Sequence, residues 1–207
     1  KRGVATWGLD MTEAARTRFA AAGGQLAESL ADLASRCDVV QVLVVNAAQT
    51  EAVLFGANGE KGLDTLLRRG AVVIASATVD PALPPLWESR LAQHGIHLID
   101  GPVSGGAKKA ADGQMTVMAS GKPEAFAVAG AALDAIAGKV YRLGDHAGVG
   151  STVKMVNQHL AGVHIATACE AMALAAKAGA DTRAVYEVIS ASAGNSWMFG
   201  NRVPHML

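Results

Sequence analysis

Up to residue 143, short apolar runs of strand length alternate with helical patterns, and beyond it no strand pattern recurs. Residues 4–9, 38–45, 71–75, 96–99, 115–119 and 140–143 read as strands; 12–22, 29–36, about 80–94 and 123–137 read as helices. Pro123 falls in the first turn of its helix, where a missing N–H costs nothing. Nearly continuous apolar strands separated by helices belong to a parallel α/β sheet covered on both faces.

After Gly150 the pattern changes. Ser151 is positioned to cap a helix that continues in pattern to Gly179. At 1.5 Å per residue, about 28 helical residues span roughly 42 Å, too long for the side of a small sheet. The stretch is apolar over most of its circumference, as in a helix buried between domains or subunits. Lys154, His159, His164, Glu170 and Lys177 interrupt it, so it does not read as a membrane span. A further helix follows over 182–193. The chain therefore divides into an α/β part, 1–147, and an all-α part, 148–207.

Charge and composition narrow the function. Eighteen Lys+Arg balance eighteen Asp+Glu, which argues against a nucleic-acid or membrane-surface binder. With 51% hydrophobic residues the chain can bury a core, so wholesale disorder is excluded. Cys37 and Cys169 are far apart, with no CxxC, so neither a disulfide scaffold nor a zinc ribbon is expected. Cys169 reads as inert core, and a reducing cytoplasm is the simplest location. His159 and His164 are five apart, not the i,i+4 of a helical metal pair, and no metal site is expected. The start at Lys1-Arg2 without Met, the lack of a leader, and the end at Leu207 read as a fragment cut at both ends.

Several constellations carry chemistry. No GxGxxG follows a strand; Gly148-Val-Gly150-Ser-Thr-Val153 opens a helix but has Val at the third position and reads as a hinge. Asp10 ends the first strand, where an acidic residue accepts hydrogen bonds from adenosine ribose hydroxyls; it is equally placed to cap the next helix. Val45-Asn46 and Thr78 follow strand ends, where ligands of open parallel sheets bind, although turn and cap roles explain them too. In Asp100-Gly-Pro-Val-Ser-Gly-Gly106 the paired glycines let the backbone approach a ligand, and successive N–H groups with the Ser104 hydroxyl can cradle a carboxylate. Lys154 lies near the start of the long helix, whose positive end opposes its charge, with Asn157 and Gln158 at i+3 and i+4. Such a lysine has reason for a lowered pKa, as a general acid/base needs; a snorkelling boundary lysine is the alternative. The segment 195–199 is either a pocket wall, a subunit contact or ordinary packing.

Taken in order, Asp100-Gly-Pro-Val-Ser-Gly-Gly106 and Gly148-Val-Gly-Ser-Thr-Val-Lys-Met-Val-Asn-Gln158 resemble the β-hydroxyacid dehydrogenase family over essentially the whole chain. The segments 45–50, 160–165, 193–199 and 201–207 resemble a branch that acts on a short polyhydroxy acid. The resemblance implies an N-terminal Rossmann domain, here without its first strand and glycine loop, and a C-terminal all-α domain entered through a long helix. It further implies NAD as cofactor, a hydroxy-acid substrate and a homo-oligomer, dimer or tetramer. By the same resemblance Lys154 is the catalytic acid/base, Ser104, Gly105 and Gly106 hold the substrate carboxylate, and Asn157 orients the substrate with Gln158 beside it. Val45, Asn46 and Thr78 would line the nicotinamide side, and Asp10 would favour NAD over NADP. Gln158 replaces an Asn of some relatives, and Gly101 an Ala. Readings left open are another small acid, such as 3-hydroxyisobutyrate or tartronate semialdehyde, and a non-catalytic binding or oligomerisation module on the same fold.

Overall fold

A computed structural model describes residues 3–207. It contains two compact units, one ending at Lys154 and one running from Met155 to Leu207. In the first, β1 (Trp7–Gly8) and β2 (Gln25–Leu26) form a parallel pair. The larger sheet starts with β3 (Val39–Val42), β4 (Val72–Ala75) and β5 (His97–Asp100), all parallel. β7 (Met115–Gly121) then runs antiparallel to β5 and to β6 (Val103–Ser104), and parallel to β8 (Ala137–Arg142). This is a Rossmann-like sheet, with β3, β4 and β5 parallel and β7 joined to them antiparallel, followed by helices.

Alternation along β4 explains its burial. Val73 and Ala75 enter one core with Leu54, Leu63, Trp87 and Leu91, whereas Val72 and Ile74 enter another with Ile99, Val117, Phe126 and Leu133. The first core is covered by α2 (Leu30–Arg36), α3 (Ala47–Phe55), α4 (Leu63–Leu66) and α5 (Leu83–Gln93), the second by α7 (Pro123–Ile136). A strand with a helix layer on each side has no solvated face, hence the unbroken apolar run.

The strands are shorter than their apolar runs. Residues 4–9 pair only at Trp7–Gly8, because β2 offers two partners, and the run over 38–45 leaves the sheet after Val42, where β4 ends. Leu43 and Val45 are consequently exposed. Two short helices, α1 (Glu13–Ala21) and α6 (Gly106–Ala111), complete this unit together with the opening turns of α8 (Val149–Lys177).

Ser151 is not the cap of α8. The helix starts at Val149, and the Ser151 N–H is instead bound by a carboxylate from the sheet, described below. In the second unit Ala168 and Met172 of α8 pack with Phe199 and Val203, supported by Val185, Tyr186 and Ile189. Val185, Tyr186 and Ile189 lie on α9 (Thr182–Ser190), and Phe199 on α10 (Trp197–Arg202). Tyr186 stacks on Phe199 at 5.8 Å between ring centres. The segment read as a pocket wall or contact thus mostly forms α10, capped by Ser196, with Trp197 exposed.

Burial around the whole of α8 is not observed within the chain: Met155, Val156, Leu160, Val163 and Leu174 are exposed. Cys169 is exposed too, not in the core, with its Sγ 3.9 Å from Met206 Sδ. By length and composition α8 is apolar enough to cross a membrane, as core helices of water-soluble proteins also are. Its early residues Ser151 and Lys154 are nevertheless buried in the first unit.

Candidate active site

The site is built where β5 ends. Asp100, its last residue, is 1% exposed, and its carboxylate reaches the beginning of α8. Oδ2 accepts the Gly148 N–H at 2.9 Å, the Ser151 N–H at 2.8 Å and the Ser120 hydroxyl at 3.3 Å. Oδ1 accepts the Ser151 hydroxyl at 2.6 Å. Ser120 Oγ in turn accepts the Gly150 N–H at 3.0 Å. Amides that have no partner inside the helix are thereby satisfied by a strand end. Burial pushes the Asp100 carboxyl up, and the bonds from Ser151, Gly148 and Ser120 act in the opposite direction.

Gly150 makes this docking possible. A methyl group there would overlap the Met118 carbonyl oxygen and lie 2.6 Å from that of Asp100. The glycine read as a hinge residue is in fact a close-packing position.

Beyond Asp100 the chain forms β6 and turns at Gly105 and Gly106, with φ of 142° and 71°, values that a side chain disfavours. Ser104 is half-buried, and its hydroxyl has no hydrogen-bond partner among the described residues. One turn of α8 beyond Ser151 stands Lys154, 7% exposed, whose Nζ donates to the Val103 carbonyl at 2.8 Å. No carboxylate lies within ion-pair distance of that amine among the described residues. Burial holds the Lys154 amine below the usual lysine range. A buried, uncompensated amine beside a turn with a free hydroxyl can exchange a proton and bind an anion.

Lys154 and the turn over 103–106 are therefore adjacent, as required for joint action. Asn157 and Gln158 follow on α8 in the second unit, where Asn157 Nδ2 donates to Gln158 Oε1 at 3.3 Å. Asn46 caps α3 by accepting the Gln49 N–H, while Val45 projects into solvent and Thr78 is exposed after β4. Since β3 and β4 are parallel neighbours, these residues leave one edge of the sheet. Asp10 follows β1 and accepts the Thr12 N–H and hydroxyl, both through Oδ1. Those bonds hold its carboxyl below the usual range, and Oδ2 accepts no hydrogen bond among the described residues.

These residues fit a nicotinamide dinucleotide in part. Leu43 and Val45 offer exposed apolar surface and Thr78 is exposed after β4, while Asp10 has one carboxylate oxygen without a partner among the described residues, as a ribose diol would require. A GxGxxG phosphate cradle is not part of the 207 residues.

Comparison with known proteins decides the family. Residues 1–144 match the NAD binding domain of 6-phosphogluconate dehydrogenase, and 148–207 the NAD-binding domain of NADP-dependent 3-hydroxyisobutyrate dehydrogenase. The chain belongs to the β-hydroxyacid dehydrogenase family. It is 60% identical over 190 residues to an L-threonate dehydrogenase of Cupriavidus necator, covering 92% of this chain and 63% of that protein. It is 47% identical to the L-threonate dehydrogenase of Escherichia coli K12, over 100% of this chain and 68% of that one. A crystal structure of 3-hydroxyisobutyrate dehydrogenase from Salmonella typhimurium superposes with a TM-score of 0.90 at 46% identity, covering 99% of this chain and 70% of that chain. The chain thus spans less than two thirds of the Cupriavidus relative's length.

Asp100, Ser120 and Gly150 acquired no individual role from sequence reasoning. Asp100 stood inside the recognised turn motif, but its partners lie 20 to 51 positions away in sequence. A usable signal existed in the Gly-Val-Gly-Ser helix start, which has no Asp, Asn, Ser or Thr just before its first residue.

Proposed function

We propose that the whole protein oxidises the 2-hydroxyl of L-threonate, with NAD as its cofactor. The observation that carries the reading is Lys154: a buried amine without a carboxylate partner, joined to the very segment that ends in Ser104-Gly105-Gly106. Bound NAD supplies the hydride acceptor. The Lys154 amine removes the hydroxyl proton as C2 becomes a carbonyl, and returns it in the reverse direction. Ser104 and the turn at Gly105 and Gly106 hold the substrate carboxylate; Asn157 orients the hydroxyl-bearing carbon, with Gln158 beside it. Val45, Asn46 and Thr78 line the nicotinamide side. Asp10 accepts the ribose hydroxyls and repels a 2′-phosphate, which selects NAD. We divide the chain at 147/148 into cofactor and helical domains, and place the enzyme in the cytoplasm as a homo-oligomer, whose second subunit covers the apolar face of α8.

The test is a panel of L-threonate and 3-hydroxyisobutyrate with NAD and NADP, and of tartronate semialdehyde with the reduced cofactors, on the whole protein. L-threonate is expected to have the highest kcat/KM, and Lys154→Ala to lose about 100-fold or more. Retention of activity within a few-fold of wild type in that variant refutes the assignment. The 46% likeness to a 3-hydroxyisobutyrate dehydrogenase makes that acid the second reading, favoured if it outperforms L-threonate.

A further inference from the structure

The long helix that carries Lys154 has an unusual start. Its free amides are not met by a side chain from the preceding residues, although Asp145 is nearby in sequence. Those of Gly148 and Ser151 are met by Asp100, 48 and 51 positions earlier, at the end of the strand that leads into the Ser104-Gly105-Gly106 turn, and that of Gly150 by Ser120. A buried carboxylate is costly unless its lone pairs are occupied, and here four hydrogen bonds occupy them. Capping alone does not require this residue, because a local Ser, Thr or Asn performs it without burying a charge. The distant carboxylate adds registry: it pins one particular turn of α8 to one particular strand end. Ser151, held through both N–H and hydroxyl, is three residues from Lys154, so the pinned turn is the turn beneath the amine. On the far side the amine itself ties back to Val103, three residues after Asp100. The segment from Asp100 to Val103 and the turn from Ser151 to Lys154 form a closed loop of contacts, tied at both ends.

We propose that Asp100 is a positioning residue: its carboxylate, clamped on Gly148 and Ser151, sets the Lys154 amine against the substrate turn. It touches neither substrate nor cofactor and acts through α8. The inference rests on the proposed role of Lys154, and its test separates the two. Asp100→Asn keeps the shape but presents an amide where the carboxylate accepts from three donors at Oδ2, so the turn loosens. Ser151→Ala leaves the carboxylate and removes only the 2.6 Å hydroxyl bond.

Two measurements on the whole protein decide the matter. The first is the acetylation rate of Lys154 by a water-soluble N-hydroxysuccinimide ester, read by mass spectrometry without substrate or cofactor, with Lys122 and Lys139 as internal references. The second is steady-state kinetics, alongside NAD binding by calorimetry. Asp100→Asn is expected to change Lys154 labelling several-fold relative to the reference lysines and to lower kcat about 10- to 100-fold, as displacement of a catalytic group by about 1 Å does. KM and NAD affinity are expected to stay within about three-fold of wild type, since weakening the charge-assisted bonds at Asp100 removes no substrate or cofactor contact. Ser151→Ala is expected to move labelling and kcat in the same directions by less, which keeps the test open if the Asn variant fails to fold. Unchanged labelling and kcat in a folded variant overturn the positioning role. A rise in KM or a fall in NAD affinity as large as the fall in kcat, with labelling unchanged, also overturns it, by showing general loosening. If Lys154→Ala remains active, the role of Lys154 fails first, whatever the Asp100 variants do.

Discussion

Gly150→Ala is a one-methyl perturbation whose consequence can be worked from the coordinates. The added Cβ would overlap the Met118 carbonyl oxygen, lie 2.6 Å from the Asp100 carbonyl and 3.2 Å from Asp100 Oδ2. Two of these neighbours are backbone atoms in β5 and β7, which cannot rotate away. Restoring ordinary contact requires the start of α8 to move by about 1 Å. The move stretches the Gly148 and Ser151 N–H bonds to Asp100, now 2.9 and 2.8 Å, beyond useful length. Overpacking costs about 1–3 kcal/mol and partial loss of hydrogen bonds to a charged group about as much again, so about 2–6 kcal/mol is expected in all. For a chain of this size that corresponds to a fall in Tm of about 4–24 °C. Gly130→Ala is the matched control: it lies in α7, a Cβ there meets nothing within 4 Å, and alanine should stabilise the helix by about 0.5–1 kcal/mol. Calorimetric or circular-dichroism melts of both variants provide the assay. A Gly150→Ala protein that melts with Gly130→Ala, above wild type, would falsify the close docking of α8 on the strand ends.

Three further outcomes follow from the same geometry. Ser104→Ala should raise KM for the hydroxy acid about 10-fold or more while kcat changes less, because a hydroxyl bond to a carboxylate is worth about 1.5–3 kcal/mol; steady-state kinetics check the split. Asp10→Ala should raise the kcat/KM ratio of NADP to NAD about 10-fold or more, since repulsion of a 2′-phosphate is removed, and an unchanged ratio would exclude Asp10 from cofactor choice. Burial lowers the Lys154 pKa, so the oxidation, which needs the neutral amine, should rise with pH to a midpoint below the usual lysine value, and the reverse reduction should fall across the same midpoint; pH–rate profiles in both directions test this.

The repeated strand and helix patterns were readable because burial on both faces leaves little room for polar residues, as in Val72–Ala75. Strand ends were not, because they depend on the partner: residues 4–9 have the composition of a six-residue strand and a two-residue neighbour. The helix α3 was missed because the polar Thr50 fills a core position beside Leu54 and so interrupts its apolar stripe, and only Asn46, bonded to the Gln49 N–H, marks its start. In the site, the glycine doublet and Lys154 stood out by residue type and place. The link between them did not, because a carboxylate accepting from Gly148 and Ser151 leaves no spacing signature when its partners are about 50 residues away. Cys169 was misplaced for a related reason: an apolar helix sequence implies a covering, and beyond the first turns of α8 the described residues cover the face around Ala168 and Met172 but leave Cys169 exposed.

Two buried ionisable groups serve the start of α8, Asp100 bonded to Ser151 from the end of β5 and Lys154 one turn beyond Ser151, and their different surroundings fit different tasks. Asp100 has four hydrogen bonds, and the positive end of α8 favours its charge. Lys154 has one, from its Nζ to a neutral carbonyl. Had the carboxylate paired with the amine directly, each would have held the other charged, and the lysine would be a poor base at neutral pH. Spending the carboxylate on helix amides leaves the amine without a counter-ion, so burial alone acts on it. The consequence for stability has a definite sign. The unfolded chain, with its amine at the ordinary lysine value, binds more protons than the folded one between the folded and the ordinary pKa. Stability therefore rises with pH across that window, and below it the protein carries the full cost of a buried ammonium. Lys154→Met removes the titrating group, so its Tm should lose the part of the alkaline rise that wild type owes to this residue, while activity is lost. Melting curves of both proteins over the same pH series test the point: an identical pH dependence would show that the Lys154 amine is not held below its ordinary value by the fold.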